Sequence, residues 1–197
     1  MLTPTVIIMA TNTDALLQLI WLASPALPVG GFSYSEGLEA AIASGHVHNT
    51  ETASTWLTEQ LWLTQARGDL SALGAFMLAW RDVGPTRHAR VRELNEWVQH
   101  TRESAELCLQ TEQMGRSLLD WLRQRQWCAD DALQMCQQLG PTYPMVMGLA
   151  LASTEADRRS ALMAYAFGWA ENMTQAAIKS VPLGQSAGQS ILATLSQ

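Results

Sequence analysis

The groups in this chain that could do chemistry are few and scattered. Lys179 is the only lysine, and Lys179-Ser180 has the form of the last two residues of a phosphate-binding loop. That loop also needs glycine immediately before the lysine and again five residues earlier. Ile178 and Met173 stand there, so the chain has no nucleotide cradle of its own. His46 and His48, one residue apart, could offer two nitrogens to Ni²⁺ or Zn²⁺, but two ligands do not close a site. Glu96, His100 and Glu103 follow at spacings of four and three, which on a helix is one face, aimed at a metal or simply at solvent and salt pairing. A ferritin-like di-metal centre needs Glu-x-x-His pairs on two helices, and there are none. Gly184 to Gly188 spells Gly-x-Ser-x-Gly, but no strand precedes it, so it makes no nucleophile elbow, and Cys108, Cys128 and Cys136 have no histidine close in sequence. Tyr34, Tyr143 and Tyr165 read as packing or hydrogen-bonding residues.

The elements that must position these groups are helices. Apolar residues recur at three and four, and β-branched alternation is lacking. Thr13 to about Leu22 reads as a helix stopped by Pro25 and Pro28. Asn49 caps a helix with Ala53, Trp56, Leu57, Leu61 and Thr64 on its inner face, ending at Gly68. Asp69 caps the next, with Leu70, Leu73, Met77 and Trp80 as its stripe. Residues 86–114 contain neither glycine nor proline and predict one long helix or two abutting ones. Further helices are expected over 130–139, 144–152, 155–180 and from 186 to the end. The expectation is an all-α protein, a single compact bundle of roughly eight to ten helices over residues 1–197, with a flexible stretch at 1–12.

Composition limits the partners. Hydrophobic residues make up 48% and charged residues only 15%, against about 25% charge in ordinary domains, and eight tryptophans and nine methionines are many. Some apolar surface is therefore expected to face partners. Trp62 and Trp127 fit the helical stripes least well and are the candidate exposed anchors. Eighteen acidic and twelve basic side chains give a charge of −6 with no basic stripe, which argues against nucleic acid. An odd number of cysteines without a Cys-x-x-Cys pair fits a reducing compartment, the cytoplasm. The apolar stretch at Val6–Met9 is too short for a signal-peptide core, and no run approaches the roughly 20 residues of a membrane span.

The densest local signal is SPALPVGGFSYSEGLE, Ser24 to Glu39. Gly30 and Gly31 permit a turn closed to other residues. Ser33 and Glu36, three apart, form a capping-box pattern that places a helix start at Ser33. A cap does not require Phe32, Tyr34, Ser35, Gly37 and Glu39 beside it, and this excess marks a surface built for contact. LPVGGFSYSEGLE resembles the N-terminal signature of the UreF family of urease accessory proteins. KSVPLGQSAGQSIL, Lys179 to Leu192, resembles that family's C-terminal signature, in the right order.

The resemblance implies a non-enzymatic helical scaffold without a cofactor of its own. Such a scaffold binds a UreD/UreH-type accessory protein and the UreG GTPase, forms a dimer within that assembly, and serves nickel delivery to apo-urease. Gly30, Gly31, Phe32, Ser33, Tyr34, Ser35, Gly37 and Glu39, with Lys179, Pro182, Leu183, Gly184, Gln185 and Gln189, are then the partner-binding residues. For Lys179 there is also a local account, since a cation in the last turn of a helix meets exposed carbonyls and the negative helix end, by about 0.3–1 kcal/mol. Many family members have tyrosine where this chain has Phe32, so a hydroxyl-dependent contact there is expected to be lost or supplied by Tyr34; they also commonly continue past the position of Gln197, so the expectation is weaker docking of the accessory partner or a truncated form. Two other readings stand beside this one: an all-helical enzyme with a small-molecule pocket drawn from Tyr34, Glu39, Glu171 and His100, and a direct nickel-binding chaperone using His46 and His48.

Overall fold

The computed structural model describes residues 13–31 and 36–197. The expectations placed on 1–12 and on Phe32, Ser33, Tyr34 and Ser35 lie outside the described residues. The protein is all-α: α1 (Thr13–Ala23), α2 (Leu38–Ala43), α3 (Thr50–Gln60), α4 (Asp69–Arg81), α5 (Arg87–His100), α6 (Ala105–Arg125), α7 (Asp130–Leu139), α8 (Tyr143–Ala152), α9 (Arg158–Ser180) and α10 (Gln185–Leu195). No strand occurs among the described residues, and none of their helices is long and apolar enough to cross a membrane.

Several boundaries follow from local chemistry. Asn49 caps α3 reciprocally: the Thr52 amide donates to Asn49 Oδ1 at 2.9 Å and the Asn49 amide to Thr52 Oγ1 at 3.1 Å. Ser104 accepts from the Leu107 amide at the start of α6, and Asp157 from the Ser160 amide at the start of α9. The glycine-free stretch 86–114 resolves into two helices, α5 and α6, because the Ser104 cap opens a new one. Ala105, at the start of α6, is exposed.

Three expectations are corrected. The expected helix does not run through Glu36 and Gly37: their φ values of 47° and 89° are left-handed, which no α-helix can pass through, so α2 begins only at Leu38. Asp69 is not a cap. Gly68 holds that position, and the Asp69 carboxylate, in the first turn of α4, accepts instead from Arg102 Nη2 at 2.7 Å. Thr64 does not face inward, because α3 runs into a π-helical turn, Leu61–Gln65, in which the Ala66 amide bonds to Leu61 O at 2.8 Å. The wider turn slips the helical phase by one residue, so Gln65 is buried and Thr64 exposed.

Two apolar cores result. The larger is organised by α4 packed on α8, whose residues Pro144–Leu151 are all buried, with α1, α5, α6, α7 and the first half of α9 around them. Trp21, Trp121 and Trp127 form a three-ring cluster at its edge with centroids 5.3–5.7 Å apart. Trp127 donates from Nε1 to Ala150 O at 3.2 Å, so it is a packed residue and not an exposed anchor. Trp62, on the outside of the π turn, is 66% exposed, as its misfit to the stripe predicts. The smaller core joins Leu38 of α2, Ala53 and Leu57 of α3, Trp169, Met173 and Ala177 of α9, Val181 just after α9, and Ile191 of α10. Helix α9 is the beam common to both, with Ala161 in one core and Ala177 in the other.

Candidate functional site

The smaller core is where the two signatures meet. From the N-terminal one, Gly30 takes a left-handed conformation (φ 76°), and the Gly31 carbonyl accepts from Asn172 Nδ2 of α9 at 3.1 Å. The described chain resumes at Glu36, whose Oε2 accepts from Trp169 Nε1 at 2.8 Å and from Gln65 Nε2 at 3.4 Å. Burial raises the Glu36 pKa above its ordinary value. The nearby Asp69 charge adds to this, and the Trp169 and Gln110 hydrogen bonds and the Arg102 charge oppose it. Both ends of the signature segment are thus tied to α9, one by a backbone carbonyl and the other by a carboxylate. Gly37 turns the chain, Leu38 inserts into the core, and Glu39 stands exposed in the first turn of α2.

The C-terminal signature closes the same core from the other side. Lys179 and Ser180 are exposed at the end of α9, Val181 is extended and buried, Pro182 is exposed and Leu183 half-buried. Gly184 holds the cap position of α10, and Gln185 and Gln189 are exposed on that helix. Gly188 faces α9, where a Cβ would run into the Ile178 side chain and come within 3.6 Å of Thr174 Cγ2, so the close approach of α10 to α9 needs glycine. Among the expected partner residues, then, Gly37, Glu39, Lys179, Pro182, Gly184, Gln185 and Gln189 are exposed. Gly30, Gly31 and Leu183 are half-buried and hold the frame.

Other expected sets do not assemble. Glu96 and His100 lie on α5, but Glu103 falls beyond its end, and His100 Nδ1 is engaged by Glu96 O at 2.6 Å, so the three-residue face is lost to the helix break. His46 Nδ1 lies 2.6 Å from Ser44 Oγ, and His48 Nδ1 lies 3.1 Å from Gly45 O, both rings being exposed in the α2–α3 connection. Among the described residues no three His, Cys, Asp or Glu side chains are grouped to hold a metal ion. The pocket imagined from Tyr34, Glu39, Glu171 and His100 does not form from its described members. Glu39 and His100 are exposed, and Glu171 borders an apolar groove between α1 and α9. Burial pushes the Cys128 thiol up to about 11, and that of Cys136 higher still, which removes both as nucleophiles near neutral pH. Burial, with the Asp69 and Glu36 charges behind it, likewise raises Tyr143 and Tyr165 and keeps both phenols protonated.

What sequence reasoning missed is a polar cluster between the cores. Glu36, Gln65, Asp69 and Arg102 border a cavity of about 550 Å³ reaching Tyr143, Tyr165 and Trp169. The Asp69–Arg102 pair at 2.7 Å is less than one-fifth exposed on either side chain. The one available signal was chemical, four polar side chains in or beside apolar stripes, and nothing in their spacing said that they meet.

The fold and this site define an all-helical protein that frames one small core with two glycine-bearing signatures and presents Glu39, Lys179, Gln185 and Gln189 outward. A family model described as UreF matches residues 47–196. The chain is 61% identical over 184 residues to the urease accessory protein UreF of Paracidovorax citrulli (92% of this chain, 72% of the relative). It is 58% identical over 181 residues to that of Polaromonas sp. (92% and 76%), and 56% identical over 189 residues to that of Methylibium petroleiphilum (94% and 78%). The chain belongs to the UreF family of urease accessory proteins.

Proposed function

We propose that this protein is a cytoplasmic scaffold in urease maturation, which binds a UreD/UreH-type accessory protein and the UreG GTPase and couples the nucleotide state of the GTPase to nickel delivery into apo-urease. Nickel is cargo in this reading, and the protein supplies neither nucleotide site nor cofactor. The observation that carries it is the convergence of both signatures on one small core, with Glu39 and Lys179 exposed at its margin. A scaffold that binds two states of a partner with different affinity biases that partner's equilibrium, and a coupling of about 1–3 kcal/mol corresponds to about 5- to 150-fold. Dimer formation within the assembly belongs to the same reading.

The test is co-purification of the full chain with the accessory protein, the GTPase and apo-urease, with GTP, with GDP and without nucleotide. Recovery of a complex whose GTPase content depends on the nucleotide is the expected result. Failure to retain either accessory component under all three conditions would remove the proposal.

A further inference from the structure

Away from both signatures, α1 and α9 share an exposed apolar face. Gly168 lets the two helices approach closely, since a Cβ there would stand 2.7 Å from Ala23 O. Leu16 and Ile20 of α1 and Met163 and Phe167 of α9 line the groove between them, and Leu17 stands exposed beside Leu16. These five side chains are 48–61% exposed, and none belongs to either signature. Met163 and Phe167 are one turn apart, as are Leu16 and Ile20, so the exposed groups form two adjoining rows and are not scattered. At that exposure they present roughly 500 Å² of apolar surface, toward the upper end of what an ordinary monomer leaves in one patch.

Area and charge select the occupant. A patch of this size paired with itself removes about 1,000 Å² from water, the threshold of a specific interface, before any polar rim is counted. The rim is self-complementary. Arg159 is exposed one turn before Met163, Glu171 borders the groove one turn after Phe167, and neither makes an ion pair among the described residues. Twelve residues separate them along α9, about 18 Å of rise. A twofold axis at the level of Tyr165, midway between them, runs α9 antiparallel to its copy. Met163 then meets the partner's Phe167, and Arg159 meets the partner's Glu171. We infer that the face formed by α1 and α9 is where this chain pairs with a second copy of itself about a twofold axis. The inference deepens the scaffold proposal, on whose dimer it rests, by giving that dimer a face.

Sedimentation velocity of the full chain at rising concentration tests it with no other protein present, so its outcome is separate from retention of the accessory components. A reversible dimer with Kd below about 10 μM is expected. Met163→Asp and Ile20→Asp, each setting a charge on this face in both copies, should weaken it at least about 100-fold, with helical content by circular dichroism unchanged. Trp62→Ala, at an exposed aromatic elsewhere in the fold, should leave it unchanged. Arg159→Glu should weaken it about tenfold, and adding Glu171→Arg should restore it, because the exchange rebuilds both pairs across the axis. A chain monomeric at every concentration, the outcome if residues 1–12 or an unrelated partner cover this face, would overturn the inference. So would a dimer left intact by the folded aspartate variants, or an exchange variant no tighter than Arg159→Glu alone.

Discussion

Replacing Glu39 or Lys179 by alanine separates partner recognition from stability, because both side chains sit at helix ends where their structural value can be bounded. Glu39 is exposed in the first turn of α2, and Lys179 is exposed in the last turn of α9. Each interacts with its helix dipole by about 0.3–1 kcal/mol, and truncation to alanine returns part of that through better helix propensity. In a domain of this size 1 kcal/mol moves the melting midpoint by about 2–4 °C, so each single variant should melt within about 4 °C of the parent. The double variant should show the sum of the singles, since the two side chains serve different helices. Calorimetric melting of the purified variants is paired with urease activation in cells and with retention of the GTPase in co-purification. The expected outcome is near-native melting with activation and retention both reduced, more in the double variant than in either single. A midpoint lowered by much more than about 4 °C, or undiminished activation in the double variant, would refute the contact role and leave helix-end stabilisation as the whole account.

Other consequences are open to direct measurement. Gly188→Ala should destabilise by about 1–2 kcal/mol, because overpacking against Ile178 outweighs the gain in helix propensity, and adding Ile178→Val should recover part of that loss; urea unfolding of the four species tests it, and additive single effects would show that the contact is not the cause. Glu36 holds its proton more tightly folded than unfolded, so between 4.5 and its raised folded value stability falls as pH rises; Glu36→Gln, neutral throughout and still an acceptor for Trp169, should flatten that slope, and a constant stability difference between the two proteins from pH 4.5 to 8 would contradict it. With its pKa near 11, Cys128 has about one thiol in a thousand ionised at pH 8, so iodoacetamide should label it far more slowly than a free thiol, as mass spectrometry of timed digests would show.

The helical architecture was legible because its signals are local. Asn49 caps α3 with the oxygen that its type and position offer, and Pro25 ends the reach of α1 for reasons internal to its own ring. The same locality misled at Glu36. Ser33 and Glu36 have capping-box spacing, but a carboxylate three residues from a serine can be claimed by any donor that tertiary packing brings near. Trp169, 133 positions away, claims it. Asp69 fails as a cap for the same reason, since Arg102 offers a charged partner where a cap offers only an amide. Gln65 is a subtler case. Its burial depends on one extra residue in the turn before it, and a helical wheel drawn at a constant 3.6 residues per turn assigns the inward position to Thr64.

These departures fall in one place. Glu36 leaves its expected cap, Asp69 leaves its own, and the π turn rotates Gln65 inward, so all three depart from local preference toward the cavity at Arg102. Three independent accidents of packing would scatter over the molecule. Natural sequences that violate local rules do so where another requirement is being met, and the wall at which these meet is also the anchor of the N-terminal signature through Glu36. Gly37 and Glu39 face outward, while Glu36 beside them in sequence is held inside by Trp169 and Gln65. A change of protonation at Glu36 therefore bears directly on the turn that carries Gly37 and Glu39.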